Sequence, residues 1–432
     1  MSEHESVPAP LTFGQLVVWR DVDALPRSRW HEGNWVFSAD VPAGVGAASV
    51  RAAVDRLAER HGVLRTTYDV SDPARPTQRV RELAELPLDF QTVSLDSAAA
   101  VQEASERLRL VPFDLRSQRP YRALLVDSPG ARTLLISKHH IAVDAWSMGL
   151  LSAELTMMFD GADDALPPLS EDVCALAFEQ RSAAWQRRRE ASERHYRTVL
   201  GAPAARFREL NPAPGTMQGY FESARLHTAA SRIAHECRVS LSSVLISAYA
   251  LAVSKQCTEL PIRMAVMSSN RFSQRWAGLV TTLNQMVAIT VEVEDNCLQR
   301  PALEAVQARS LRAYRLAIFD YDAMRPASLG LPPDIDPTPT CMFNIVASWV
   351  CEPTSPIQDG DVPDISWEPV FTSLGPRCHL RVYETTRGTL IPILRTTGIS
   401  EAVNVEISQR MYSTIIQAGE RAVAVRESLA GT

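Results

Sequence analysis

A mixed α/β fold in two lobes is predicted by three observations. The chain has 432 residues, too many for one ordinary core and suited to two domains of about 200 residues each. Both halves mix β-rich runs with helical segments in comparable proportion. Between them, Gly201 to Gly215 contains Pro203, Pro212 and Pro214, which interrupt any regular element. The expected organisation is an N-terminal lobe over 1–200, a linker over 201–215 and a C-terminal lobe over 216–432.

Asn34 to Asp40 reads as a short strand stopped by Pro42 and Gly44. Ala47 to Gly62 is helical, because Val50, Val54 and Leu57 share one face and Gly62 supplies a stop. Val101 to Leu110 forms a second amphipathic helix. Tyr121 to Val126 and Thr133 to His139 are β-rich runs around the turn Asp127-Ser128-Pro129-Gly130. A helix rich in Leu and Met covers Ala145 to Phe159, and a charged surface helix covers Glu179 to Arg197. In the second half, His227 to Gln256 is strongly helical, and an N-cap within Ser240-Leu241-Ser242-Ser243 divides it. Ile262 to Met267 and Met286 to Val293 read as buried strands, and the Pro-rich Pro326 to Pro339 as an irregular loop. Cys378 to Glu384 and Thr389 to Thr396 form a hairpin around Arg387-Gly388, and a terminal amphipathic helix runs from about Ile407 to Val425.

Hydrophobic residues make up 46% and charged residues 22%, the balance of a soluble globular protein. The net charge is −6 and no dense Lys/Arg run is present, which argues against nucleic acid or an anionic membrane as partner. The seven cysteines are scattered without a CxxC pair, so they predict neither zinc nor a redox dithiol. Met1 to Ser6 lacks the pattern of a signal peptide, and no apolar run approaches the ~20 residues of a membrane span. A cytoplasmic monomer is expected.

His139, His140 and Asp144 fall where an apolar strand gives way to a helix, a place where a rigid scaffold presents side chains. An imidazole accepts a proton from an amine or hydroxyl near neutral pH, and a nearby aspartate can order the loop through an ion pair. Alternation along a strand sends adjacent histidines to opposite faces, so a shared metal is a poor fit and no metal site is expected. The same residues also read as a pair of satisfied core histidines beside a turn aspartate.

Wider motifs weigh on that choice. Pro112-Phe113-Asp114-Leu115, the two strands and His139-His140-Ile141-Ala142-Val143-Asp144-Ala145-Trp146-Ser147 resemble the condensation domains of nonribosomal peptide synthetases, in the chloramphenicol acetyltransferase-like superfamily. Leu11-Thr12-Phe13-Gly14-Gln15 with Trp19 is similar to the family's opening motif, and Arg60-His61-Gly62-Val63-Leu64-Arg65-Thr66 to its RHxxLRT motif. Ser269-Asn270-Arg271 and Gly278 to Asn284 resemble the second-lobe SGR…GxFxNTLP region, and Phe343-Asn344 resembles a later strand motif. The resemblance covers roughly residues 8 to 425. Three positions depart from the family pattern: Ala145 replaces a usual Gly, Asn270 replaces the Gly of SGR, and Asn284 lacks the following proline.

The resemblance implies two chloramphenicol-acetyltransferase-like lobes in a V with a tunnel between them. It implies an enzyme that transfers an acyl or aminoacyl group from a carrier-protein thioester to a small-molecule or carrier-bound amine or alcohol. With no recognisable carrier-protein or adenylation motif in the sequence, a freestanding enzyme acting in trans is expected. The donor's 4'-phosphopantetheine arm belongs to that substrate, and no cofactor is held permanently. His140 is then the residue handling the nucleophile's proton, and His139 is structural. Asp144 is expected to pair with Arg271 across the lobes, with Arg65 as the second candidate partner. Ser147 caps the following helix or touches the arm, while Ala145 and Asn284 line the tunnel. Two other readings stand beside this one: a coenzyme A-dependent acyltransferase, and a non-catalytic recruitment module, against which the retained His140 speaks. Epimerisation on the same fold is a further possibility.

Overall fold

The computed structural model describes residues 7–169, 172–208, 215–257, 261–332, 334–347, 357–360, 362–370 and 377–430. The chain divides into two units, Met1–Arg189 with Ser269–Gln285, and Glu190–Ser268 with Met286–Thr432. This differs from the expected cut at 201–215. The helix Gln186–Gly201 carries the chain past residue 190 without a break, and a segment from the second half of the sequence belongs to the first unit. Residues 209–214 of the expected linker lie outside the described residues, as does Cys351.

In the first unit, β1 (Ala9–Pro10), β3 (Thr66–Asp69) and β4 (Thr77–Val80) form a three-stranded sheet in the order β1-β4-β3. A four-stranded sheet has the order β2-β7-β6-β5, with β2 Asn34–Asp40, β5 Phe90–Ser94, β6 Tyr121–Ser128 and β7 Ala131–His139. β6 and β7 are antiparallel, as the tight turn requires. β5 and β6 are parallel, because the helix α3 (Ala98–Leu110) returns the chain to the same end of the sheet. The helices α1 (Phe13–Asp23), α2 (Ala47–Arg60) and α4 (Ala145–Phe159) supply apolar faces to a core that includes Trp19, Leu57, Leu134, Ile141 and Leu155. The charged segment expected as one surface helix is two, α5 (Val173–Arg181) and α6 (Gln186–Gly201), separated by a short turn that begins at the extended Ser182.

The second unit is built on a seven-stranded mixed sheet. Its order is β10-β9-β11-β13-β14-β8-β12, with β8 Thr216–Tyr220, β9 Ile262–Ser268, β10 Gln285–Val291, β11 Cys341–Ala347, β12 Ser366–Val370, β13 Cys378–Glu384 and β14 Leu390–Thr397. β13 and β14 pair antiparallel, Cys378 opposite Thr396 through Glu384 opposite Leu390, the hairpin read from the sequence. The expected helical block is split as anticipated into α7 (Ala224–Cys237) and α8 (Leu241–Ser254), and the Ser240 side chain accepts the Ser243 amide as the N-cap. α8 is apolar on nearly every side and buried along most of its length, since it packs against α7, α9 (Arg300–Tyr314) and α10 (Glu401–Ala430) as well as strands. No single helix among the described residues is long and apolar enough to cross a membrane.

Candidate active site

β7 lies between β2 and β6, so its last six residues are buried, and its register pairs His139 with Asn34. The ladder ends there. The His139 amide donates to the Pro120 carbonyl at 2.8 Å, and the His140 amide donates to the Gly33 carbonyl at 2.7 Å. Gly33 is held to glycine by a close approach: a Cβ would sit 2.7 Å from Nε2 of His139. The chain then turns, and Ile141, Ala142 and Val143 are fully buried in the core. A loop anchored by three buried apolar side chains has little freedom, which fixes what its ends present.

His139 is buried, with Nδ1 accepting the Ile141 amide at 3.1 Å. Burial drives its pKa down to about 3, with His140 and Lys138 adding to the effect. Near neutral pH it is therefore uncharged. His140 lies past the strand end and is half-buried, so the turn of the chain, and not strand alternation alone, separates the two rings. The His140 carbonyl accepts the Thr282 hydroxyl, and its ring meets that of Trp35 edge-on at 6.3 Å between centroids. Its Nδ1 lies 3.3 Å from the Val143 carbonyl oxygen. A carbonyl can only accept, so Nδ1 carries the proton in that contact.

Asp144 is fully buried and is the N-cap of α4, its Oδ1 accepting the Ser147 amide at 2.9 Å. Its Oδ2 accepts the amides of Leu283 at 3.0 Å and Asn284 at 3.3 Å. Arg271 completes the shell, with Nη2 3.2 Å from Oδ1. Burial alone would raise the Asp144 pKa, but Arg271 and these hydrogen bonds outweigh it and hold the carboxylate below its ordinary range. Arg271 also donates to Ser147 Oγ and to the carbonyls of Ser269, Leu279 and Thr281. Burial lowers its pKa while Asp144 opposes the shift.

The predicted Asp144–Arg271 pair is thus present, but it lies inside the first unit and does not bridge two lobes, because Ser269–Gln285 belongs to that unit. Arg65 is not the partner; its Nη1 donates to the Arg81 carbonyl at 2.7 Å. Ser147 does not cap α4, since Asp144 does. Its hydroxyl instead donates to the Thr281 carbonyl at 2.9 Å and accepts the Thr281 amide at 3.1 Å. Ala145 is the exposed first residue of α4 with no positive φ, so nothing in the backbone there requires glycine. Asn284 is brought to the site through its amide. Asn270 has φ 57°, the left-handed region that glycine favours and asparagine tolerates, which accounts for Asn at the family's Gly position.

Four participants were given no role by the sequence, although Gly14 and Thr282 lie inside motifs that carry the resemblance: Gly14, Gly33, Lys138 and Thr282. A Cβ on Gly14 would sit 2.4 Å from the Thr282 carbonyl oxygen, so α1 can lie against the returning segment only with glycine there. Lys138 did carry a signal, a charge at the end of the apolar run Leu134-Leu135-Ile136. It is buried, and its ammonium donates to the Val143 carbonyl. Arg60 and His61 of the RHxxLRT motif bind Glu154 of α4 at 3.1 and 2.9 Å, tying α2 to the site helix. No group of His, Cys, Asp and Glu among the described residues could hold a metal ion.

Residues 34–329 match the Condensation domain family, and the chain belongs to it. Condensation domains make amide or ester bonds in nonribosomal peptide and polyketide assembly. It is 27% identical over 309 residues to phosphinothricin tripeptide synthetase PhsC of Streptomyces viridochromogenes, covering 66% of this chain and 28% of that protein. The chain thus spans under a third of that relative's length. Among solved structures it is similar to the condensation domain mediating chain release from the enacyloxin polyketide synthase, with TM-score 0.77, 21% identity, and coverage of 96% of this chain and 82% of that one. It is also similar to the epimerization domain from the third module of tyrocidine synthetase B, with TM-score 0.75, 15% identity, and coverage of 98% and 100%. At these identities the likeness is one of fold, the chloramphenicol-acetyltransferase-like fold.

Proposed function

We propose that the chain transfers an acyl or aminoacyl group from the phosphopantetheine thioester of a carrier protein to an amine or alcohol, and that His140 handles the proton. The observation that carries this reading is the tethering of the His140 ring through Nδ1 to the Val143 carbonyl, on a loop closed by the buried Asp144–Arg271 pair. In the proposed step the nucleophile's lone pair attacks the thioester carbonyl while Nε2 takes its proton. The tetrahedral intermediate then collapses, the carbon–sulfur bond breaks, and the leaving thiolate recovers the proton from Nε2. Asp144 and Arg271 touch neither substrate in this scheme; they hold the loop that aims the imidazole.

The test incubates the protein with an acyl group loaded on a carrier protein, and separately with the coenzyme A thioester, against panels of amines and alcohols. Transfer from the carrier is expected, with His140→Ala slower by ~10²–10⁴-fold, the usual worth of general-base assistance. An undiminished rate in His140→Ala would remove the assignment. Transfer from coenzyme A alone would replace the donor, and no transfer from either source would favour a recruitment role.

A further inference from the structure

Only two of the chain's 44 Lys and Arg residues are lysines, Lys138 and Lys255. Arginine meets nearly every other need for a cation, at buried sites such as Arg119, Arg122, Arg263 and Arg271 as well as at the surface. Lys255 is half-exposed and faces Asp295 at 3.3 Å. Lys138 is 2% exposed and immediately precedes the histidine pair. An ammonium differs from a guanidinium in being compact and in losing its proton readily when desolvated. A buried lysine in a chain that otherwise uses arginine therefore calls for a physical reason.

The geometry supplies one. The Lys138 ammonium donates to the carbonyl oxygen of Val143, which also accepts the Nδ1–H of His140. Both lone pairs of that oxygen are engaged, one by a cation and one by the imidazole. The carboxylate acting on Lys138 is Asp144, which is already committed to Arg271 and three backbone amides. His139 beside it stays neutral. Lys138 and His140 are thus joined through one shared acceptor.

We propose that Lys138 is a positioning residue for His140: by occupying the Val143 carbonyl it fixes where Nδ1–H must point and keeps the ring less basic than that carbonyl alone would make it. Two effects act in the same direction. A carbonyl already polarised by an ammonium is a weaker acceptor for the extra positive charge of an imidazolium. A neighbouring cation also disfavours a second one. Burial pushes the Lys138 ammonium down to about 7, with Asp144 pulling the other way, so its own charge changes near the working pH. The compact ammonium reaches that single carbonyl as a point charge, where a planar guanidinium presents a wider fork of donors. This inference rests on the reading of His140 as the proton acceptor, and its test needs no substrate.

The full-length chain, labelled with ¹⁵N-histidine and ¹³C-lysine, is titrated by NMR. His140→Gln assigns the ring signals, and only two lysine signals need separating. The expected result is a neutral His140 protonated on Nδ1, and a Lys138 midpoint near 7. In Lys138→Met, which removes charge and donor at nearly constant volume, the His140 midpoint should rise by about half a pH unit or more. Lys138→Gln keeps a donor but not the charge. It should raise the midpoint while preserving the Nδ1 proton, and it serves as the second variant if methionine at this site prevents folding. An unmoved His140 midpoint in a folded variant, or a Lys138 that titrates as an ordinary exposed amine, would overturn the proposal. A moved midpoint in a chain whose His140→Ala variant keeps its acyl-transfer rate would instead overturn the function reading, so the two failures are distinguishable.

Discussion

His139 and Asp144 show what a single titratable side chain contributes once it is buried. The folded-state pKa of His139 is about 3, against 6.5 when exposed, so between those values the unfolded chain binds the proton that the folded one refuses. Its contribution to stability is complete above pH 6.5 and is lost as pH falls toward 3. His139→Asn retains an acceptor near Nδ1 for the Ile141 amide but cannot titrate. Its urea-denaturation midpoint should fall less steeply than wild type over that window; an equal slope would exclude His139 as the source. Asp144, held low by Arg271, adds its loss only below its ordinary 3.8. Asp144→Ala removes one partner of a buried pair and the α4 cap. It should cost ~3–5 kcal/mol for the pair and about 1 kcal/mol more for the cap, measured by denaturation. A soluble variant of wild-type stability would contradict the structural role assigned here. The histidines, the aspartate and Arg271 were legible in the sequence because residue type and motif order pointed to them. Lys138 and Thr282 were not, because one reads as a strand-end surface charge and the other has no local pattern linking it to residue 140.

At the level of elements, local chemistry was a good guide where a residue acts on its own neighbours and a poor one where tertiary contact decides. Ser240 was readable as a cap because a serine's reach to the third amide onward is local. The break between α5 and α6 was not, since Ser182 and Trp185 sit in a run whose charge pattern alone suits a continuous helix. The end of α7 illustrates a cost the sequence conceals: Arg238 takes φ 56° and ψ 42° as its C-cap. That left-handed conformation costs a side-chain-bearing residue about 1–2 kcal/mol, while glycine would lose only about 0.5–1 kcal/mol through its freer unfolded state. Arg238→Gly should therefore raise the thermal midpoint slightly, a gain of up to about 1 kcal/mol by calorimetry, and a fall would show that the arginine side chain does more than cap. Gly14 makes the opposite case. Gly14→Ala drives a methyl against the Thr282 backbone, which cannot yield as a side chain can. Overpacking of this kind costs roughly 1–3 kcal/mol. It should also displace the hydroxyl that holds the His140 carbonyl, so acyl transfer is expected to drop together with the melting temperature.

Over the whole molecule, the sequence located two α/β bodies but drew the line between them as a single cut, because composition changes along the chain report linkers and not returns. The first unit instead recruits Ser269–Gln285 from far downstream. That segment brings Arg271 to Asp144, the Leu283 and Asn284 amides to the same carboxylate, the Ala277 carbonyl to the Trp146 indole at 2.9 Å, and the Thr282 hydroxyl to His140. A fragment ending at residue 200 would therefore keep Asp144 in an apolar setting with none of its downstream partners, and an unpaired buried charge is a cost of several kcal/mol. For a domain whose total stability is of order 5–15 kcal/mol, that loss is decisive. Residues 1–200 expressed alone should show no cooperative thermal transition, whereas the same fragment co-expressed with 201–432 should co-purify with it and melt in one. A fragment 1–200 that unfolds cooperatively at the temperature of the intact chain would mean that the site loop is stable without Arg271, and the structural account of the motif aspartate would have to be abandoned.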